Sequence, residues 1–307
     1  MAVGVGVTAL YPDTLKDTLS EIVDDDTDGL EAKMQLRMWM TERTMEDAYE
    51  DDLEVFGMGL LSEKTEMQSI TVGQTGQGSL FRYMPTAFAG KLIYSREVMR
   101  DVKYDQVLKP AKRLKRACIK TIEVDTQQML VRGFNTSYPY GDGVELFSTA
   151  QPLPGGGTFS NEMATPQSPS TGALIALTSQ MRKTASHDGI DEMYEPECVL
   201  CPTEQWAVWD QVLGSPREPA AGEFNAINVV NRIGGLKKKA VALTYWNNTT
   251  TNWAVLTDAD DGPQIRWRDK MESNDWFDND NMVLNYSIYV RFAWGLSNKR
   301  AIFGVQA

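Results

Sequence analysis

Gly141-Asp-Gly-Val-Glu-Leu-Phe-Ser-Thr-Ala-Gln-Pro-Leu-Pro-Gly-Gly-Gly-Thr-Phe-Ser-Asn161 is the most distinctive stretch of this sequence. It lies within residues 133–170, where prolines and glycines recur every few positions. Because both residues interrupt helices and strands, this composition predicts a long surface loop and a boundary between two structural units. The run Gly155-Gly-Gly157 is not followed by the Gly-Lys-Ser/Thr of a phosphate-binding loop, so it predicts a turn and not a nucleotide site.

Two long helices are predicted on the N-terminal side of the loop. The first begins near residues 27–29, because apolar side chains recur from there at steps of four and seven. Those side chains are Leu30, Met34, Met38, Met45, Tyr49 and Leu53. Leu36, Trp39 and Met40 make the opposite face apolar as well. A helix with two apolar faces is expected to pack between two structural units. Residues 105–132 have the same helical spacing and predict the second helix.

A β-hairpin is predicted between the two helices, where the spacing of apolar residues changes to period two. The hairpin comprises strands 69–72 and 79–84, with Gly73, Gly76 and Gly78 at its tip. A further strand is predicted at 91–95. The closely spaced glycines predict a tip that can adopt several backbone conformations.

The residues after the loop alternate between helices and strands, so the chain as a whole predicts an α+β fold. One helix is predicted at 173–183, and a second follows Thr203, its expected N-cap, and carries Trp206 and Trp209. The predicted strands are 197–201, 240–246, 253–257, 283–294 and 301–305. A length of 307 residues favours two domain-sized units.

The net charge of −12 is concentrated at the start of the chain. Residues 1–63 contain 16 acidic and four basic side chains, so the remainder is neutral. An acidic chain of this kind is not a general nucleic-acid binder, because phosphate contacts require a clustered surplus of lysine and arginine. The asymmetry predicts an N-terminal arm with a partner of its own.

The front half of the second helix is basic, and its positive charges lie near the helix N-terminus, where they are unfavourable. The basic residues are Lys109, Lys112, Arg113, Lys115, Arg116 and Lys120. We expect the acidic residues among the first 63 positions, of this chain or of a neighbouring one, to neutralise these positive charges. Contact with DNA phosphates is the alternative, although the stretch has no interleaved aromatic residues to stack on bases.

No set of residues predicts catalysis or a cofactor site. Asp24, Asp26 and Asp28 match the start of a calcium-binding loop, but Gln35 occupies the position that needs a bidentate glutamate, so they are weak metal candidates. Cys198 and Cys201 have half the spacing of a zinc site and are interpreted as core residues. Three further carboxylates, which a metal-dependent enzyme could use, are Asp258, Asp260 and Asp261.

The single histidine, His187, lies in a turn-like stretch and predicts a surface residue. Three cysteines, an odd number, favour a reducing compartment over a disulfide framework. No secretory leader is expected at the start of the chain, and no apolar run approaches the roughly 20 residues of a membrane span.

The sequence resembles the major capsid proteins of tailed bacteriophages with the Hong Kong 97 fold, and in particular the Mu-like major head subunits. Residues 141–161 are similar to a loop of that family, with Gln151 where histidine is usual. Residues 189–214 resemble the strand, proline and helix that enter the family's axial domain. The family's closing strands are similar to residues 253–257, 286–292 and 300–304.

The resemblance implies four regions: an N-terminal arm (1–57), an extended loop (58–100), a peripheral domain with the spine helix (101–169 and 261–307) and an axial domain (170–260). Some relatives join subunits through a lysine of the extended loop. Because residues 68–80 contain no lysine, we expect the subunits of this protein to associate without covalent bonds.

By this resemblance the protein is a structural subunit, not an enzyme, that assembles as hexamers and pentamers into an icosahedral virion shell around double-stranded DNA in the host bacterial cytoplasm. Separate scaffolding, portal and decoration proteins are possible partners, and no membrane is involved. An encapsulin-like protein compartment is the alternative. The candidate interface residues are Met34, Met38, Trp39, Met45, Gly73, Gly76, Gly78, Arg82, Arg113 and Arg116.

Overall fold

The structure is a computed structural model with one chain. It describes residues 33–56, 60–61, 63–67, 69–70, 76–101, 104–153, 156–186, 189–217, 226–230, 236 and 240–307. The predicted helix start at 27–29, the calcium candidates Asp24, Asp26 and Asp28, and Gly73 and His187 lie outside these ranges.

The described residues form an α+β fold, as predicted. The helices are α1 (Leu36–Trp39), α2 (Arg96–Asp101), α3 (Tyr104–Val131), α4 (Thr171–Arg182) and α5 (Trp206–Gly214), with short 3₁₀ turns at Thr203–Gln205 and Lys299–Ala301. The strands are β1 (Thr41–Thr44), β2 (Glu50–Phe56), β3 (Gly76–Tyr83), β4 (Thr86–Ser95), β5 (Gln151–Pro152), β6 (Thr158–Phe159), β7 (Pro196–Pro202), β8 (Val241–Leu243), β9 (Trp253–Thr257), β10 (Gln264–Asp278), β11 (Val283–Gly295) and β12 (Ile302–Val305).

A four-stranded sheet with the order β1-β10-β11-β4 packs against the long helix α3. Gly90 of β4 permits this close approach, because a Cβ atom there would lie 2.7 Å from Cδ1 of Leu114 on α3. Ala111 of α3 is completely buried beside Leu284 and Tyr286 of β11. The apolar stripe predicted for residues 105–132 therefore faces the sheet.

A second four-stranded sheet, with the order β12-β9-β7-β8, carries helices α4 and α5. Cys198 and Cys201 lie in β7 and are fully buried, as the sequence indicated. Trp209 of α5 packs against Trp253 of β9, with ring centroids 4.7 Å apart. Thr203 was predicted to cap α5, but its hydroxyl donates to the carbonyl oxygen of Leu243, and α5 follows a 3₁₀ turn instead.

The stretch 141–161 is fastened to the end of the chain by buried polar side chains. Nδ2 of Asn161 donates to the carbonyl oxygens of Leu146 and Ile302, at 2.7 and 3.4 Å. Nζ of Lys299 donates to Oε1 of Gln151 at 2.8 Å and to Oδ1 of Asp142 at 2.6 Å. The predicted surface loop is therefore partly internal, and it joins the two sheets.

The predicted helix through residues 30–53 is wrong. Within the described residues, its place is taken by the four-residue helix α1 and by strands β1 and β2. Strand β1 pairs in parallel with β10, and β2 pairs antiparallel with β3. Pairing with sheet strands provides hydrogen bonds for these residues that outweigh their apolar spacing at four and seven.

The predicted hairpin has a different first strand, and a long strand was missed. Strand β3 pairs with β2, whereas residues 69–70, part of the predicted first strand, are not in a strand. The missed strand is β10, which has 15 residues and forms the centre of the first sheet with β11. No strand was predicted between residues 257 and 283.

Two strands pair outside the regions in which the resemblance implied them. Strand β4, within the implied extended loop, belongs to the sheet on α3. Strand β12, within the implied peripheral domain, pairs with β9 of the second sheet. Among the described residues, no helix is long and apolar enough to cross a membrane.

Candidate assembly interface

The β2–β3 hairpin projects exposed apolar side chains from a charged base. Leu53 of β2 is exposed by 40%, Leu80 of β3 by 48%, and Met84, just after β3, by 71%. The segment that joins the two strands exposes Leu60, Leu61, Met67 and Ile70. Exposed apolar residues concentrated in one element are typical of protein–protein contacts.

The base of the hairpin is held to the first sheet by the buried guanidinium group of Arg266 in β10. Nη1 of Arg266 lies 2.7 Å from Oε2 of Glu50, and Nη2 pairs with Oδ2 of Asp52. The same guanidinium lies over the ring of Tyr83 in β3, 3.9 Å from the centroid. Both strands of the hairpin are therefore anchored to β10 at their base.

Further hydrogen bonds fix the carboxylate of Asp52. Ser297 donates to Oδ2 at 2.8 Å, and Gln264 donates to the same atom at 3.2 Å. Burial alone would raise the pKa of Asp52, but the hydrogen bonds from Arg266 and Ser297 lower it below its usual value. The carboxylate thus stays ionised at neutral pH and keeps Arg266 paired.

A second buried arginine, Arg300, pairs with β2 two residues beyond Asp52. Nη1 of Arg300 donates to Oε1 of Glu54 at 2.8 Å, and its guanidinium lies 4.5 Å from the ring centroid of Phe159. Glu50, Asp52 and Glu54 alternate along β2 and so share one face. This face of acidic residues meets Arg266 and Arg300, which the sequence analysis did not select.

Three acidic residues of β2 thus have partners that differ from those expected. The basic half of α3 was expected to neutralise them, yet Glu50, Asp52 and Glu54 pair with arginines of the C-terminal part of the chain. The physical reason is desolvation: Arg266 and Arg300 are buried, and a buried cation requires an opposite charge.

Arg82, a predicted interface residue, lies on the opposite face of the hairpin. Its guanidinium donates two hydrogen bonds to Asp51, at 2.6 and 2.7 Å, and stacks on Tyr49, 4.4 Å from the ring centroid. The hydrogen bond from Arg82 lowers the pKa of the Asp51 carboxyl. Arg82 is exposed, and a neighbouring chain can reach it.

Two of the three predicted tip glycines belong to strand β3 and not to a turn. Gly76 pairs with Phe56, and a Cβ atom at Gly78 would lie 2.9 Å from the Cβ atom of Glu54. Gly78 therefore permits the close approach of β2 and β3. Gly73 lies outside the described residues.

Three of the four apolar residues predicted to contact a neighbour are buried in the subunit itself. Met34 and Trp39 pack in the main core, and Met45 packs with Tyr83 and Phe81 beneath the hairpin. Met38 alone among these four is exposed, by 54%. Met38 is therefore the accessible member of this group, and its contact with a neighbouring subunit stays a prediction.

Arg113 and Arg116 lie on the exposed face of α3. Lys109, Lys112 and Lys120 are also exposed, whereas the sixth basic residue of this stretch, Lys115, is buried with a relative exposure of 4%. The exposed positive charges of α3 therefore form a surface feature separate from the hairpin base.

The carboxylates considered for a metal site are dispersed. Asp258 accepts a hydrogen bond from the backbone N–H of Glu195 at 2.9 Å, and Asp261 pairs with Arg43 at 3.1 Å. The backbone oxygen of Asp260 accepts from Asn298. Within the described ranges, no three histidine, cysteine, aspartate or glutamate side chains come together as a metal site would require.

The chain matches a known protein family. The sequence profile of a family described as phage capsid protein matches residues 81–305. A search of the curated proteins finds no match.

Solved structures of low sequence identity have a similar fold. A chain from Mycobacterium phage Cain is 12% identical, with a TM-score of 0.55 and 89% of each chain covered. The capsid of a native GTA particle is 14% identical, with a TM-score of 0.53, covering 89% of this chain and 90% of that one. Microbacterium phage Oxtober96 gives 6% identity, a TM-score of 0.52 and coverage of 88% and 90%. The chain belongs to the phage capsid protein family, and its α+β architecture is the Hong Kong 97-type fold that the resemblance implied.

Proposed function

We propose that many copies of this chain assemble into the closed icosahedral head of a tailed bacteriophage and enclose double-stranded DNA. The observation that carries the proposal is the family match over residues 81–305, which includes α3, the whole second sheet and three of the four strands of the first sheet. The subunit acts as a structural component and not as an enzyme. Its work is done by surfaces that bind neighbouring copies, arranged as hexamers and pentamers.

The β2–β3 hairpin is the contact element that the geometry favours most. Its base is fixed by Arg266, while Leu53, Leu80 and Met84 remain exposed. A rigid base lets the hairpin present these side chains without a large loss of conformational entropy on binding. Specific interfaces bury roughly 1,200–2,000 Å² in total, and a closed shell repeats such contacts around every subunit.

Packaged DNA is the proposed content of the shell, held without sequence recognition. The chain beyond residue 63 has balanced charges, and a balanced wall does not bind DNA so tightly that ejection is prevented. Scaffolding, portal and decoration proteins are further proposed partners. The virion head is the proposed location, with assembly in the bacterial cytoplasm.

Sedimentation of the purified protein combined with negative-stain microscopy tests the proposal. We expect closed particles of uniform diameter. A monomer or small oligomer under every assembly condition would contradict shell formation. Particles isolated from infected cells should contain double-stranded DNA, whereas a protein cargo would favour the encapsulin-like alternative.

A substitution in the hairpin tests the contact element. Replacing Leu80 and Met84 by serine should change the free energy of unfolding of the subunit by no more than about 0.5 kcal/mol, because exposed side chains contribute little to folding. Particle yield should nevertheless fall at least about tenfold, since apolar contact area is lost at each repeated interface. The matched control exchanges the same residues as Leu80→Met and Met84→Leu, and it should assemble normally. Normal assembly of the serine variant would remove the hairpin from the interface.

A further inference from the structure

The exposed basic residues of α3 lie on a single stripe. Their positions are 109, 112, 113, 116 and 120. At 3.6 residues per turn these positions fall within an arc of about 100° and extend over about 17 Å of the helix. Lys115 points away from this arc and is buried. We refer to the five exposed residues as the basic stripe.

The same face of α3 continues toward its C-terminus and there holds the start of the described chain. Oε1 of Glu123 accepts a hydrogen bond from the backbone N–H of Leu36 at 3.2 Å. Nε2 of Gln127 donates to Oε1 of Gln35 at 3.2 Å. Glu123 and Gln127 follow Lys120 by one and two helical turns, and they fall within the arc of the basic stripe. Residues 35–36 are thus fixed one turn from the end of the stripe.

The sequence that precedes this anchor is strongly acidic. Between residues 13 and 31 there are eight acidic side chains and one basic side chain, Lys16. Six of the acidic residues recur at steps of three and four, namely Asp13, Asp17, Glu21, Asp24, Asp28 and Glu31. The basic stripe has the same periodicity. Nineteen residues span about 28 Å as a helix and about 60 Å when extended, so the segment is long enough in either form.

We propose that residues 13–31 cover the basic stripe of α3 in the same chain. The proposal rests on three features: opposite charge, matched spacing, and an anchor at Gln35 and Leu36, which follow the segment by four and five residues and lie one turn from the end of the stripe. The partner is intramolecular because the fixed anchor gives the chain's own segment a high effective concentration, which a segment from another subunit lacks.

Covering the stripe masks a surface that would otherwise bind polyanions. Five cations over about 17 Å amount to one per about 3.4 Å, which is the spacing of phosphates along one strand of a nucleic-acid duplex. The acidic segment thus acts as an internal competitor of DNA. It limits binding of nucleic acid to the subunit, whether or not the subunit forms a shell.

Zero-length crosslinking of the unmodified full chain tests the contact directly. A carbodiimide joins carboxylates to amines that touch, and we expect amide bonds from residues 13–31 to Lys109, Lys112 or Lys120. The measurement uses the dissociated subunit as an equal mixture of ¹⁴N- and ¹⁵N-labelled protein, so that mass spectrometry separates intrachain from interchain bonds. Exposed Lys183 and Lys270 serve as internal controls.

Three results of the crosslinking would overturn the proposal. They are bonds of mixed isotope only, no bond to the basic stripe, or equal bonding of the segment to Lys183 and Lys270. Intrachain bonds confined to the stripe support it. None of these results depends on whether the chain forms shells, so the test stands apart from that of the proposed function.

Binding of a 20-base-pair DNA duplex to the full chain tests the masking. We expect neutralisation of Asp17, Glu21, Asp24 and Asp28 to Asn or Gln to raise affinity at about 50 mM salt by about tenfold or more, through release of counterions by the uncovered stripe. Adding Lys112→Gln and Arg113→Gln should abolish the gain. The control neutralises four exposed acids elsewhere, namely Glu192, Glu204, Asp210 and Glu272. A gain of equal size in the control, or a gain that survives loss of Lys112 and Arg113, contradicts masking of the stripe.

Discussion

Nζ of Lys299 lies 2.8 Å from Oε1 of Gln151, and both side chains are buried. Nε2 of Gln151 donates in turn to the backbone oxygens of Glu145 and Leu146, at 2.9 and 3.0 Å. Gln151 therefore uses both ends of its amide, and it links the 141–161 stretch to the turn that precedes β12. A side chain that only accepts or only donates cannot make this connection.

Replacing Gln151 by alanine should reduce the free energy of unfolding by about 2–4 kcal/mol. The substitution removes, in a fully buried position, the hydrogen bonds from Nε2 of Gln151 to the backbone oxygens of Glu145 and Leu146 and the bond that Oε1 accepts from Lys299. Urea unfolding followed by tryptophan fluorescence provides the measurement. Gln211→Ala is the control, because Gln211 is exposed on α5 and its loss should cost less than about 0.5 kcal/mol. Equal losses in both variants would contradict a structural role for Gln151.

Removal of the Arg266 guanidinium should destabilise the hairpin base strongly. Arg266→Met leaves Glu50 and Asp52 without their cation, and breaking a buried pair in this way typically costs about 3–5 kcal/mol. Arg182→Met is the matched control, since Arg182 forms a pair with Glu195 that is almost half exposed and is worth about 0–1 kcal/mol. Urea unfolding of both variants decides the matter, and a loss at Arg266 no larger than that at Arg182 would refute the anchoring role.

Acid should weaken the hairpin base through Asp52. The folded-state pKa of this carboxyl lies below its ordinary value of 3.8, so its stabilising contribution is complete above pH 3.8 and is lost as the pH falls through the lower, folded-state value. The difference in unfolding free energy between the natural chain and Asp52→Asn should therefore be constant from pH 5 to 7 and shrink below pH 3.8. Urea titrations across this range measure it. A difference that stays constant down to pH 2 would show that the ionisation of Asp52 does not contribute.

Gly295 should tolerate no side chain, because β11 and β3 approach closely there. A Cβ atom at this position would overlap the ring of Phe81 and lie 2.8 Å from Cε1 of Tyr83. We expect Gly295→Ala to cost about 1–3 kcal/mol through displacement of the hairpin. Gly172→Ala is the control, since no atom lies within 4 Å of the added Cβ atom in helix α4, and it should be neutral or stabilising by up to about 1 kcal/mol. Thermal unfolding of the pair provides the comparison.

The three thiols should react slowly with disulfide reagents in the folded chain. Burial raises the pKa of Cys118 to about 11 and that of Cys201 to about 12, and Cys198 is completely buried. Because the thiolate is the reactive form, we expect Ellman's reagent at pH 8 to label the native protein slowly and all three cysteines rapidly in denaturant. Rapid labelling of one thiol in the native state would contradict this expectation.

Local sequence pattern predicts the structure correctly where it agrees with the tertiary context. Helix α3 and strand β11 follow their apolar periods, and β7 is a short apolar run that is buried on both faces. The error over residues 30–53 has a different origin. Glu50, Asp52 and Glu54 are poor strand formers whose strand is stabilised by ion pairs with arginines more than 200 positions away.

The missed strand β10 and the missed arginines share one cause. Residues 271–278, its second half, are mostly polar or charged, so the period-two signal of apolar side chains is absent there. Arg266 is nevertheless buried, and only the three-dimensional fold shows that acidic residues of β2 surround it. One signal in the sequence was missed: Glu50, Asp52 and Glu54 occupy every second position, which predicts a strand with an acidic face that pairs with cations.

Strand β12 determines when, during synthesis of the chain, the fold can be completed. Ile302, Phe303 and Val305 are completely buried, and Lys299 and Ile302 accept hydrogen bonds from Asn161 through their backbone oxygens. These residues are the last to leave the ribosome among those that join the two sheets. A nascent chain therefore remains unclosed until residues 299–305 have been synthesised, and only then does it offer a finished surface to another copy.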